Sequence, residues 1–163
     1  MSSSIVVKQL VTRKITSQNF QPFGQVIWAS RDGDKYDKNN AQLTLENGVP
    51  RFYIMRLNNK GQKFTKITRH VECTQCLGSL EGKEWLMAVA PPSVEEQPKL
   101  ENLAAFKIPG NCFIKLEMGT WHAGPYFYQD SVDFYNLELS DTNDNDHFTY
   151  DFAKSYNLEF EIV

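Results

Sequence analysis

A chain of 163 residues, 41% hydrophobic and 23% charged, has the balance of one soluble globular domain spanning residues 1–163, with enough apolar mass for a single core. Its net charge is -3, and its lysines and arginines are scattered rather than striped, so nothing neutralises a run of phosphates and nucleic acid is set aside as a partner. The opening MSSSIVVKQL lacks a basic start before a long apolar run, no stretch approaches the ~18 apolar residues of a membrane helix, and the three cysteines form an odd set, so a soluble, unprocessed protein of a reducing compartment, the cytoplasm or an organelle interior, is expected.

Along the chain, a turn or two of helix is expected at 16–23, capped by Thr16 or Ser17. Residues 30–47, rich in Asp, Lys and Asn, read as a mobile loop over one end of the fold. From there apolar residues recur at period two: RFYIMRL (51–57), KFTKITRH (63–70), EWLMAVAPP (84–92), AAFKIPG (104–110), CFIKLEM (112–118), SVDFYNLEL (131–139) and YNLEFEIV (156–163). Between them lie Asn, Gly and Pro clusters that supply turn dihedrals at low steric cost. Short strands with a turn every ten or so residues predict an all-β antiparallel sandwich or barrel.

A small barrel places its function at a mouth, where inward-facing polar side chains meet a cavity. The residues that interrupt apolar strand faces are Arg51, Arg56, Arg69, His70, Gln75, Lys115, Glu117, Trp121, His122, Asp133, Tyr135, Asn136 and Glu138.

The stretch TRHVECTQC (68–76) concentrates one of three histidines and two of three cysteines. A redox CxxC needs its first cysteine at a helix N-terminus, and the strand-like LGSLEGKEWLMAVAPP that follows offers none. Structural zinc would need two compact ligand pairs, whereas His70, Cys73 and Cys76 leave Cys112 and His122 as distant singles. The cysteines therefore read as small buried hydrophobes. In one continuous strand His70 and Gln75 would face opposite ways, but a turn over 71–74 lets both point inward. GTWH (119–122) brings a second histidine just after a glycine turn, and two imidazoles with an amide at one mouth suit a divalent metal or a polar substrate.

That pattern resembles the cupins, whose first motif carries two histidines and a carboxylate and whose second has the form Gly-x-x-His. Thr68, His70 and Gln75 stand at the first motif and Gly119-Thr120-Trp121-His122 at the second, so the metal set is reduced to His70, Gln75 and His122. FQPFGQVI (20–27), RHVECTQC (69–76), PGNCFIKLEMGTWHAGP (109–125) and SVDFYNLEL together resemble the ureidoglycolate lyase family, also known as ureidoglycolate hydrolase. The resemblance implies a cupin-type jelly roll, commonly a homodimer, that cleaves a small anionic metabolite, ureidoglycolate, to glyoxylate and urea in allantoin degradation, a branch of purine catabolism. It implies His70 and His122 as acid/base residues and Arg51, Arg69, Gln75, Lys115, Trp121, Asp133 and Glu138 as substrate contacts, with no nucleotide cofactor and at most one divalent metal ion. The family pattern also has a tyrosine where this chain has Leu116, a histidine where it has Ala123 and an arginine where it has Leu139. The alternatives are a non-catalytic cupin that binds a small molecule and a metal-dependent cupin isomerase or oxygenase.

DTNDND (141–146) begins like a calcium loop but has Asp146 and Phe152 where an EF-hand needs glycine and glutamate. It reads as a solvated turn, with His147 exposed or capping.

Overall fold

The computed structural model describes residues 3–163, and the alternating segments form strands because each has an apolar set to bury on at least one face. In chain order the strands are β1 (Val6–Leu10), β2 (Thr12–Lys14), β3 (Gly24–Trp28), β4 (Pro50–Asn58), β5 (Lys63–Phe64), β6 (Lys66–Arg69), β7 (Gln75–Ser79), β8 (Trp85–Ala90), β9 (Ala104–Ile108), β10 (Cys112–Leu116), β11 (Trp121–Tyr126), β12 (Ser131–Leu139), β13 (Phe148–Asp151) and β14 (Leu158–Ile162), with short helices α1 (Thr142–Asn145) and α2 (Phe152–Tyr156). A five-stranded sheet runs β3-β10-β7-β12-β4, a six-stranded sheet runs β13-β6-β11-β8-β9-β2, and a small sheet runs β1-β14-β5. This is the expected all-β jelly-roll sandwich.

Two apolar clusters hold the layers. Trp85, Met87 and Val89 of β8 point into a cluster with Phe106, Ile114 and Phe134, between the five- and six-stranded sheets. Leu86 and Ala88 of the same strand point the other way, toward Phe64, Trp121, Phe152 and Phe160 under the small sheet. A strand covered on both faces needs apolar residues at every position, which is why all of Trp85–Ala90 is buried.

Several expectations are corrected. Residues 16–23 are successive turns, not helix; Thr16 Oγ1 accepts from Asn19 N (3.0 Å) and Asn19 Oδ1 from Thr16 N (2.8 Å), a reciprocal bond that closes the first turn and leaves Ser17 to bind the Trp28 indole. The 63–70 segment breaks at Thr65 into β5 and β6, which belong to different sheets, and the Thr65 carbonyl accepts from Phe152 N (2.8 Å). The tail forms α2, capped by the Asp151 side chain on Lys154 N and ended by Asn157 at φ 55°, before β14 begins. β11 had no strand signature because Gly124 and Pro125 interrupt it, and its register shifts there. Residues 30–47 form no strand, but Gln25 Nε2 reaches the Lys38 and Asn40 carbonyls and Thr74 Oγ1 accepts from Thr44 N (2.9 Å), so the segment is tied to β3 and to the turn before β7.

Phe152 sits between Phe64, Tyr150 and Phe160, with ring centroids 6.4, 5.4 and 5.0 Å away, and joins the small sheet to the six-stranded one. Phe152→Ala is expected to lower stability by about 3–5 kcal/mol, the usual cost of emptying a buried aromatic site, read as a fall in urea midpoint without change in slope.

Candidate functional site

The site lies where β6 ends and β7 begins. His70 follows β6, and a turn over 71–74 reverses the chain so that Gln75 opens β7. Asp146, after α1, builds that turn: its two carboxylate oxygens accept from Val71 N and Glu72 N, both at 2.8 Å, and its carbonyl accepts from His70 Nδ1 at 2.5 Å. The last bond places the neutral His70 proton on Nδ1 and leaves Nε2 as a free lone pair. Asp146 is 3% exposed, so the expected solvated turn at 141–146 is corrected to a short helix with a buried clamp at its end. Its buried carboxylate accepts from two part-buried amides of the turn.

His122 comes from β11, pairing with Thr68 of β6. Gly119 at φ 86° makes the turn before it, and the Gly119 amide donates to the His70 carbonyl (2.7 Å), so the two histidine-bearing segments are bonded directly. The His70 and His122 rings lie edge to face with centroids 5.0 Å apart. His122 Nε2 is 3.2 Å from Gln75 Oε1, while the Gln75 amide nitrogen donates to Asn136 Oδ1 (3.0 Å) and Glu138 Oε2 (3.4 Å). The Tyr53 hydroxyl completes the chain, accepting from Asn136 Nδ2 and donating to Glu138 Oε1. Because the Gln75 nitrogen faces two acceptors, its oxygen must face His122, which fixes the His122 proton on Nε2. His122 Nδ1 is then a buried lone pair without a partner.

Burial dominates the electrostatics. It holds the His122 imidazole down to about 3, with His70 and His147 adding repulsion, and it pulls His70 below the ordinary histidine value against the opposing bond to the Asp146 carbonyl. Both rings are therefore neutral near pH 7. The cysteines are free and buried, and burial raises all three thiols, Cys76 to about 12 and Cys112 to about 11, so no thiolate is available for redox chemistry.

A protein-family model for ureidoglycolate lyase matches residues 7–159. The chain belongs to the ureidoglycolate lyase family. No match to a curated protein was found. Membership makes a lyase the general class of activity.

Against the family pattern, the structure gathers some expected residues and separates others. His70, Gln75, His122, Asn136 and Glu138 share the inner face, and Arg51 stands at its edge, opposite Glu138 in the β4–β12 register with its guanidinium 3.7 Å over the Tyr53 ring. Arg69 and Trp121 lie on the other face of the six-stranded sheet: Arg69 binds the Ser93 and Glu95 carbonyls and stacks 4.5 Å over Trp121, whose indole donates to Ser93 Oγ. One-residue alternation puts them back to back with the histidines. Lys115 and Asp133 point to the outer face of the five-stranded sheet, where Lys115 pairs with Glu117 and Asp133 with Arg56 at 2.8 Å. Ala123 also faces away, into the cluster under the small sheet, so a histidine there would not reach this site. Leu116 does line it, and makes that wall apolar.

Three residues matter here that the sequence did not single out. Tyr53 and Asp146 build the hydrogen-bond frame, and His147 brings its ring centroid within 5.7 Å of His70. His147 is exposed, as expected, but it faces the other two histidines. No local signal marked it, because the contact depends on β13 pairing with β6.

Of the expected metal donors, His122 Nε2 and Gln75 Oε1 satisfy each other, and none of the three carries a charge, which does not fit a hard divalent cation. Among the described residues no group of three or more His, Cys, Asp or Glu side chains is arranged to hold a metal ion. The recess between His70, Cys73, Gln75, Leu116, Thr120 and His122 has no room for a water-sized molecule, whereas the open cleft between β3 and residues 34–40 holds about 740 Å³. The larger cleft holds no histidine. No helix among the described residues is long and apolar enough to cross a membrane.

The buried neutral state of His122 makes stability depend on pH. Above its ordinary value of 6.5 neither folded nor unfolded chain protonates it; as pH falls from 6.5 toward about 3, the unfolded chain takes up a proton that the folded one refuses, and stability drops. One such group is expected to cost about 2 kcal/mol between pH 7 and pH 5. Urea midpoints at the two pH values should fall further for the natural protein than for His122→Gln; equal falls would show that His122 is not held neutral by the fold.

Proposed function

We propose that this protein cleaves ureidoglycolate to glyoxylate and urea, with His70 as the base. The observation that carries the reading is the pair of facing imidazoles whose outward nitrogens are tied, His70 Nδ1 to Asp146 and His122 Nε2 to Gln75, leaving one lone pair of each free. The substrate carbon bears a hydroxyl and a ureido nitrogen, so it collapses to an aldehyde when the hydroxyl loses its proton and the C–N bond breaks. His70 Nε2 takes the hydroxyl proton. His122 Nδ1, a neutral acceptor, receives a hydrogen bond from the substrate and orients it. Gln75 fixes the His122 ring, with Glu138, Asn136 and Tyr53 fixing Gln75 in turn. Arg51 grips the substrate carboxylate with its planar fork, held in place by stacking on Tyr53. The recess has no room for a water-sized molecule in this structure, so substrate entry requires its lining side chains to part.

Released glyoxylate and urea should appear in equal amounts. His70→Gln should lower kcat by ~10²–10⁴-fold, the range for losing a positioned base, and prior dialysis against EDTA should leave the rate of the natural protein unchanged. Tight ureidoglycolate binding without product would instead establish a binding protein, the second reading favoured by the reduced, uncharged donor set of His70, Gln75 and His122. Loss of rate on EDTA treatment, restored by a divalent ion, would establish a metal-dependent enzyme.

The same reading includes a pair of chains. Phe52 and Ile54 on the edge strand β4 are 70% and 63% exposed, beside the partly covered Tyr135 and Phe113, an apolar patch on the outer face of the five-stranded sheet suited to a second copy. Sedimentation should give twice the chain mass for the natural protein and the chain mass for Ile54→Lys.

A further inference from the structure

All three histidines of the chain converge on one mouth, although they come from three separate segments. The cleavage proposed above uses two of them and leaves one requirement open. When the C–N bond breaks, its electron pair moves to the ureido nitrogen, and that nitrogen must gain a proton to leave as urea. His122 is poorly suited to give it, because its Nε2 proton is committed to Gln75 and its Nδ1 is a buried lone pair. His70 cannot supply it in the same step, because its Nδ1 proton is held by the Asp146 carbonyl and its Nε2 is then accepting the hydroxyl proton, so a concerted departure needs a separate donor.

Strand register brings the third imidazole beside His70 and Thr68. β13 pairs with β6 so that Phe148 lies opposite Arg69 and Thr149 opposite Thr68, and the same antiparallel step sets 147 beside 70. Thr149 Oγ1 lies 3.0 Å from Thr68 Oγ1, so Thr149 faces inward, and residue 147, two positions earlier, shares that face. Tyr150 packs the opposite way, into the cluster under the small sheet. His147 Nε2 is 3.5 Å from Thr68 Oγ1, and its ring meets His70 at 72°. Thr68 stands where the cupin pattern has its first histidine, and the neighbouring strand supplies an imidazole to that same neighbourhood. The acidic groups nearby are otherwise engaged: Asp146 with the 71–72 amides, Glu138 with Tyr53 and Gln75, and Glu117 with Lys115.

We propose that His147 is a third catalytic imidazole, the donor that protonates the departing ureido nitrogen; this rests on the lyase reading above. In the step, the substrate O–H bond breaks to His70 Nε2, its electron pair forms the aldehyde C=O, the C–N pair moves to nitrogen, and nitrogen takes the proton of His147. His70 then releases its proton to solvent and His147 reloads from solvent, so no net proton is consumed. Exposure at the mouth is what permits the reloading. Imidazole is the side chain that exchanges protons most readily near neutral pH.

Full-length His147→Ala and His147→Gln proteins, checked by thermal unfolding, are to be assayed for urea and glyoxylate release with and without added free imidazole. The role predicts a fall in kcat of ~10²-fold with KM changed far less, and a saturable recovery of the alanine variant by imidazole entering the vacated mouth. An unchanged kcat in both variants, or a loss in a natively melting alanine variant that imidazole does not relieve, would overturn it while leaving the lyase reading intact. If the natural protein releases no product from ureidoglycolate, the lyase reading fails and this role fails with it.

Discussion

The site depends on one side chain, Asp146. Its carboxylate closes the turn between β6 and β7, and its backbone carbonyl holds the His70 ring. Hydrogen bonds from amides to a buried carboxylate contribute about 1.5–3 kcal/mol each, and removing the acceptor would release the turn that both amides hold. The clamp also crosses the fold, joining the end of α1 to a turn some seventy residues earlier in the chain. His70 and Gln75 both face inward because that turn is held, and His147 faces them because it follows Asp146 directly.

The six-stranded sheet separates chemistry from support. On its inner face Thr68, His70 and His122 look toward the five-stranded sheet; on its outer face Ile67, Arg69 and Trp121 hold the small sheet and the 93–95 loop. Neighbours in sequence therefore have unrelated roles. Arg69 neighbours His70, yet its guanidinium belongs to a cation–π stack on the far side of the sheet. The five-stranded sheet contributes the second wall, and through it the Gln75–Asn136–Tyr53–Glu138 chain reaches from the recess to the edge where Arg51 stands.

Low dielectric serves both stability and reactivity at this place. Keeping His70 and His122 neutral is unfavourable to the fold as the medium becomes acidic, and it leaves one ring nitrogen of each as a lone pair. In such surroundings a hydrogen bond to either lone pair is stronger than in water, and each ring is prevented from turning by the partner of its other nitrogen. Both rings are thus held in one orientation by the fold itself.

What the sequence determined by itself was the fold class and the family. Period-two alternation in 51–57, 104–110, 112–118 and 131–139 is a local property, and those segments became strands because alternation leaves an extended chain only one way to bury its apolar set, while 84–92, apolar throughout, became the strand covered on both faces. The histidines of RHVECTQC and GTWH were legible for the same reason, since motifs with short spacing keep their geometry in any fold. Only the tertiary structure decided which face each residue served, because facing depends on partner strands far along the chain. It put Arg69, Trp121, Lys115 and Asp133 away from the histidines, and it turned 141–146 from a solvated loop into the clamp of the site. It also brought His147 to His70 through β13 pairing with β6, a contact between residues 77 positions apart (147 - 70) that no local pattern encodes.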